Sequence, residues 1–267
     1  MTTSAIETPV KGSFRGVSDL PLVGRQVYFE QLSFWLNPIG AAITIGFSVI
    51  FVVFFESFEK HSSVDFLHIN LGQYYLPAFM AYGIMAACFN TMAISLVNRR
   101  EMGLLKRLRL SPLPTWMLMA AMLVNWMIIA ALQIVLVLIV GLFYGVHGPH
   151  QVGLFILVVI VGMLSFTAVG IGVSTLVPNA DSAGPIVSLV FFIVIAFSGL
   201  YYPIKSGTGL ATVVGIFPIR HLIVALVDTF NGIPGTSVWN DILVMLVWAA
   251  AGVFVGLRRW DWSPKRG

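Results

Sequence analysis

Between Val152 and Val177 the chain runs for 26 residues without a single Asp, Glu, Lys, Arg or His. As an α-helix rising ~1.5 Å per residue this run reaches about 39 Å, more than the ~30 Å hydrocarbon core of a bilayer. Inside that core no water satisfies stray backbone N–H and C=O groups, so only helices and closed barrels cross it. A barrel strand needs only about ten residues, so a run of this length reads as a spanning helix. Composition extends the reading to the whole chain. Of its 267 residues 58% are hydrophobic and only 10% charged, where a soluble domain carries about a quarter charged. The mean hydropathy is +0.93.

Five further apolar runs share this character: about Phe34 to Phe55, entered through Asn37-Pro38; Tyr74 to Val97; Trp116 to Tyr144; the run after Pro178–Ser182 as far as Tyr202; and Trp239 to Leu257. Glu56 to Gln73 reads as a polar loop. At Pro178–Ser182 the sequence predicts a tight turn, with Asp181 or Ser182 capping the next helix and Pro185 in its first turn. Residues 203–238 are apolar but split at Phe217-Pro218-Ile219-Arg220-His221, and neither half can cross alone. They are expected to form two short helices that dip back or lie at the outer interface. The second would gather Arg220, His221, Asp228 and Asn231 to one side. Six spans place twelve of the fifteen Lys and Arg residues on the side of both termini, as the retention of positive charge in the cytoplasm requires. The sequence therefore predicts an all-α protein of six spans: a polar tail over 1–19, one transmembrane domain over 20–258 and a basic tail over 259–267. Both tails would be cytoplasmic. From Leu20 to Leu36, Tyr28, Leu32, Trp35 and Leu36 share a face while Arg25, Gln26, Glu30 and Ser33 lie largely opposite. That pattern suits a helix in the membrane interface, or an extension of the first span.

The most charged stretch is Asn98 to Pro114, with Arg99, Arg100, Lys106, Arg107 and Arg109 within eleven positions. Asn98 can cap a helix and Glu101 complete a capping box. Met102, Leu105 and Leu108 then form an apolar face, and Pro112 and Pro114 stop the helix. One reading is a loop that only fixes topology and touches anionic lipid. The other is a docking helix for a cytoplasmic partner.

Chemistry for catalysis is not apparent. Cys88 stands alone, which excludes an internal disulfide; it reads as a small packing residue within the second span. The spans hold polar rather than ionisable residues. Asn90, Asn125 and Gln133 are candidates for a substrate path, although hydrogen bonding between helices is the commoner use of such groups. Gly141 with Gly145, and Gly252 with Gly256, have the spacing of close helix contacts. No phosphate-binding loop, serine elbow or His-Glu-x-x-His pair occurs. His147 and His150 sit in a Gly-Pro turn without carboxylates, so no metal site is expected. The positive charge flanks apolar runs, which argues against nucleic acid as a partner.

Three motifs in order carry a resemblance. They are Arg100-Glu101-Met102-Gly103-Leu104-Leu105-Lys106-Arg107-Leu108 followed by Ser111-Pro112-Leu113-Pro114; Phe197-Ser198-Gly199-Leu200-Tyr201-Tyr202-Pro203-Ile204; and Phe217-Pro218-Ile219-Arg220-His221-Leu222-Ile223-Val224-Ala225-Leu226. On six spans, this order resembles the membrane subunit of the type-2 ATP-binding-cassette exporters, bacterial permeases for drugs, antibiotics and polysaccharides. Leu104 and Phe217 depart from the residues common there.

The resemblance implies a coupling helix in which Glu101, Met102, Gly103, Leu105, Lys106, Arg107 and Leu108 meet a nucleotide-binding subunit. That subunit would hold the ATP and Mg, leaving no cofactor on this chain. The helix carrying Tyr28, Leu32 and Trp35 would be a second contact, and Pro218, Arg220 and His221 would belong to an outer cap. A second permease copy or a paralogue, and membrane lipid, complete the implied partners. The implied location is the bacterial cytoplasmic membrane. The expected cargo is an amphipathic or hydrophobic compound, with lipid-linked polysaccharide as the alternative. A non-transporting scaffold or an intramembrane enzyme is more remote.

Overall fold

The computed structural model describes residues 20–59, 63–64, 69–103, 115–204, 209–233 and 238–259. The expected tails therefore lie outside the described residues, apart from Arg259. So do Leu105, Lys106, Arg107 and Leu108, and the stop at Pro112 and Pro114. Among the described residues the architecture is all-α, with one two-residue strand pair joining Ser63–Val64 to Ile69–Asn70.

Helix α1 (Leu20–Trp35) is followed by α2 (Pro38–Glu59). The break between them is local chemistry: Asn37 Oδ1 accepts the Gly40 N–H at 3.1 Å, and Pro38 opens the new helix, where it has no N–H to lose. Helix α3 runs from Leu71 to Glu101, with a π turn over Ala86–Thr91. Then come α4 (Thr115–Phe143), α5 (Val152–Leu176), α6 (Ala180–Ala196), the short α7 (Gly209–Val214), α8 (Pro218–Asn231) and α9 (Val238–Arg259). Five helices, α2, α3, α4, α5 and α9, are long and apolar enough to cross a membrane; α6 is apolar but has 17 residues.

Helix α3 is the centre. From Tyr74 to Phe89 every residue is buried, so it reads apolar all round instead of along one stripe. Around it, α2, α6 and α9 leave large hydrophobic side chains outward, among them Ile43, Ile50, Leu189, Phe192, Leu243 and Phe254. A water-soluble protein would not leave so broad an apolar surface open, whereas lipid covers it without cost. Helices α5 and α9 cross at backbone distance. A Cβ on Gly252 would lie 2.5 Å from the Ala168 carbonyl oxygen, and one on Gly172 would lie 2.8 Å from that of Gly252. Gly256 also faces α5, at Ile171. Gly141 instead packs on Leu76 of α3, and Gly145 makes a turn with φ 82°.

Several boundaries differ from the sequence expectation. Helix α2 continues past Phe55, and Glu56 is buried instead of lying in a loop, its carboxylate against Gly72 in the first turn of α3. The positive end of that helix favours a carboxylate there. The cap of α6 is Asn179, not Asp181 or Ser182: its Oδ1 accepts the Ser182 N–H at 2.9 Å. Asp181 falls inside the first turn and Pro185 one turn further on. Helix α6 ends at Ala196 instead of Tyr202, because Gly199 takes a left-handed conformation with φ 86° and the Ser198 hydroxyl oxygen accepts the Leu200 N–H. Helix α8 packs against the bundle. Leu222, Ile223, Leu226 and Phe230 are buried where it packs against α3, α5 and α9.

Candidate functional site

At the basic end, α3 runs unbroken through Asn98 to Glu101. Asn98 therefore caps nothing. It lies within the last turn, its carbonyl accepting the Met102 N–H at 3.0 Å. An Asn followed three residues later by Glu also occurs inside helices, and here the continuous ladder wins. Gly103 ends the helix with φ 66°, a conformation that costs other residues a steric clash. No described atom lies within 4 Å of a Cβ placed there, so conformation rather than close approach explains this glycine. Met102 is exposed.

Two adjacent arginines fasten this end in different directions. Arg99 donates from both terminal nitrogens to Glu30 of α1, at 2.7 and 2.6 Å, the planar fork matching the carboxylate. Arg100 is 4% exposed. Its Nε meets Glu101 at 2.9 Å, and its terminal nitrogens reach the carbonyls of Ser174 at 3.3 Å, Val177 at 2.8 Å and Pro178 at 3.3 Å. These are the unpaired carbonyls that close α5, at the negative end of its dipole. The sequence shows five similar basic residues; nothing in their spacing distinguishes these two or marks Glu30 as a partner.

Helix α1 lies along α4. Gln31 Nε2 donates to the Asn125 carbonyl at 3.3 Å, and Trp35 Nε1 to Gln31 Oε1 at 3.1 Å. Tyr28, Leu32, Trp35 and Leu36 are exposed. Between α1, α2, α3 and α4 a cleft of about 370 Å³ remains, lined by Glu30, Asn37, Thr44, Ser95, Asn125 and Trp126 among others.

Of the three expected path residues only Asn125 lines this cleft. Gln133 joins helices: its Nε2 donates to the Thr44 carbonyl at 3.1 Å and also contacts the Ser48 hydroxyl. Asn90 lies in the π turn of α3, accepting from the Ser188 hydroxyl of α6 at 3.3 Å. One extra residue in that turn shifts the following face by about 100°, an offset invisible in hydrophobic spacing. Thr91 takes part in the turn, its hydroxyl donating to the Ala86 carbonyl at 2.9 Å.

At the opposite end, Pro218 opens α8. Arg220 is buried and reaches the Ile204 carbonyl at 3.4 Å; burial pulls its pKa down. The His221 ring sits between Asp241 of α9, at 2.6 Å, and the Gly215 carbonyl, at 2.8 Å. The hydrogen bond to Asp241 raises the His221 pKa, with burial opposing it. Tyr74 donates to the Gly199 carbonyl at 2.5 Å and Tyr75 to the Tyr201 carbonyl at 3.1 Å, so the turn after α6 is latched to the start of α3. Asp241 and these tyrosines carry no motif that would single them out in the sequence.

The arrangement offers two fastened ends, an open cleft and no reactive constellation among the described side chains. No curated protein sequence matches the chain. The sequence profile of the family described as ABC-2 family transporter protein matches residues 56–258, from the end of α2 to the end of α9. That is about three quarters of the chain, and it holds the basic end of α3, the turn after α6 and helix α8. The chain is a multi-pass membrane protein and belongs to the ABC-2 transporter family.

Proposed function

We propose that this chain is the permease subunit of an exporter driven by ATP hydrolysed on a separate nucleotide-binding subunit. It works beside a second copy or a paralogue in the bacterial cytoplasmic membrane, and it moves an amphipathic or hydrophobic compound outward. The basic end of α3, with both chain termini, faces the cytoplasm. Glu101, Met102 and Gly103 lead into the docking segment, which continues through Leu105, Lys106, Arg107 and Leu108.

The supporting observation is the double fastening of α3. Arg99 ties its end to α1, and Arg100 ties it to the closing turn of α5. A displacement applied just beyond Glu101 is therefore delivered to three helices at once instead of bending a loose loop. No phosphate loop occurs in this sequence, which fits ATP hydrolysis on a separate subunit.

The test is reconstitution with a co-purified ATPase in liposomes. Substrate-stimulated hydrolysis and ATP-dependent loss of cargo from the donor side are expected. Glu101→Ala and Gly103→Leu should leave insertion and ATPase binding intact while lowering cargo moved per ATP by about tenfold. Export at the wild-type rate by both variants, with the ATPase still bound, would remove the docking role. A purified chain that captures no ATPase from its own host would remove the exporter reading.

A further inference from the structure

The cleft at the basic end has a chemistry of its own. Its apolar wall is formed by Phe34, Ala41, Ile94 and Trp126. Several of its polar groups are committed, while the Ser33 and Ser95 hydroxyls and the Asn98 amide also line it. Glu30 is held by Arg99 through two bonds, so the pair brings no net charge. Asn37 Oδ1 caps α2. The hydroxyl of Thr44 donates to the Gly40 carbonyl at 2.8 Å, and that of Thr91 to Ala86 at 2.9 Å. Having donated, both hydroxyl oxygens retain lone pairs and can only accept from a visitor.

Asn125 differs in being almost fully buried. Its side chain is 3% exposed and lines the cleft, yet Oδ1 has no hydrogen-bond partner among the described residues. Buried polar atoms are almost always satisfied, and one left open inside a cleft calls for a ligand or water that donates. Asn125 Oδ1, Thr44 Oγ1 and Thr91 Oγ1 are thus acceptors on residues that line one cleft, beside aromatic and aliphatic surface. An ion would find no spare counter-charge here and would lose its hydration.

We infer that this cleft is a binding site for an uncharged amphiphile, whose hydroxyl or amide N–H donates to Asn125 Oδ1 while its apolar part lies against Phe34, Ile94 and Trp126. A volume of about 370 Å³ admits a ring or head group with the first part of a chain. The inference rests on the permease reading and supplies its substrate class: neutral and donor-bearing, in preference to cationic.

The test uses a dodecyl glucoside carrying a diazirine next to its head group, with the full-length permease in phosphatidylcholine nanodiscs. Its tetra-O-methyl analogue, which has no donors, and a diazirine-bearing dodecyl trimethylammonium serve as comparisons. The glucoside should label Phe34, Ile94 or Trp126, with the methylated analogue about three- to tenfold weaker, the value of one hydrogen bond. Asn125→Leu should lower glucoside labelling by the same factor and leave the methylated analogue unchanged. Ser95→Trp, on a different helix, should block both by filling the cleft. Equal labelling by the three probes, or wild-type labelling in both variants, would overturn the site. Addition of the ATPase separates the two levels. Patterned labelling without ATP-dependent movement leaves the site standing and removes the exporter reading. Movement of the glucoside that is unchanged in Asn125→Leu does the reverse.

Discussion

Replacing Arg100 with methionine isolates what the guanidinium does, because methionine keeps most of the buried stem's apolar packing. Four hydrogen bonds are lost. Those to Val177 at 2.8 Å and Glu101 at 2.9 Å are well formed, while those to Ser174 and Pro178 at 3.3 Å contribute little. A bond to a charged group is worth about 1.5–3 kcal/mol, and a cation at a helix C-terminus adds about 0.3–1 kcal/mol. The contributions overlap, since the same carbonyls are counted in both, so the net loss is about 3 kcal/mol. In a chain of this size each kcal/mol moves Tm by about 2–4 °C, which gives a fall of about 6–12 °C in a thermal-shift measurement on the detergent-solubilised protein. Arg100→Lys keeps the charge but cannot present a planar fork to separated carbonyls, and should recover about half. The same order, wild type above lysine above methionine, is expected for cargo moved per ATP. Arg100→Met melting within about 2 °C of wild type would refute the clamp, and so would lysine and methionine variants that behave alike.

The crossing of α5 and α9 gives a second expectation. Gly252→Ala forces a methyl group against the Ala168 carbonyl at 2.5 Å and should cost about 1–3 kcal/mol in a thermal or denaturant assay. Gly46→Ala, with open space at its Cβ, should be neutral or slightly stabilising in the same assay. For the Arg99–Glu30 fork, a double-mutant cycle with Arg99→Met and Glu30→Gln should return a coupling of about 1–3 kcal/mol. A value near zero would mean that α1 is held by Gln31 and packing alone. His221 supplies a pH dependence. Its bond to Asp241 raises its pKa, so the folded chain holds the proton more tightly than the unfolded one. The resulting stability is complete below the ordinary histidine value and is lost as pH rises through the raised one. The Tm advantage of wild type over His221→Gln should accordingly be largest near pH ~6 and shrink toward pH ~9; an advantage that grows with pH would contradict the geometry.

Five long apolar helices and the two short helices before α9 were legible because bilayer length and breaks in an apolar run are signals that no local accident cancels. The surface of α1 was legible too, since Tyr28, Leu32 and Trp35 recur at helical spacing and remain exposed. Single-residue chemistry was harder to see. Asn98 and Glu101 have the spacing of a capping box, yet whether a helix starts or continues there depends on Arg100 reaching carbonyls more than seventy residues away. Asn179 and Asp181 are both good caps, and the extended backbone of Asn179 decides between them. The π turn left no trace, because Ala86–Thr91 sits in a helix buried on every side, where a shift of face breaks no apolar pattern. Asn125 was visible as a polar residue in a span. That it opens into a cleft while Gln133, eight residues on, closes onto α2 is a matter of which neighbour stands opposite.

Helix α3 joins these features physically. At one end Tyr74 and Tyr75 hold it to the turn after α6, and the Gln73 carbonyl accepts from Asn231 of α8 at 3.0 Å. At the other, Arg99 and Arg100 hold it to α1 and α5. Both attachments are directional hydrogen bonds to groups that have few alternative partners, so neither end slides freely. Its middle differs. The π turn interrupts the regular ladder and leaves Asn90 meeting Ser188 through a single bond at 3.3 Å. The regular i to i−4 ladder is thus interrupted between two fastened ends. The cleft beside Asn125 lies between that centre and the basic end, on the part of α3 that Arg99 steers. The wall formed by Ile94 and Ser95 therefore stands between the Arg99 contact with α1 and the latch at Tyr74.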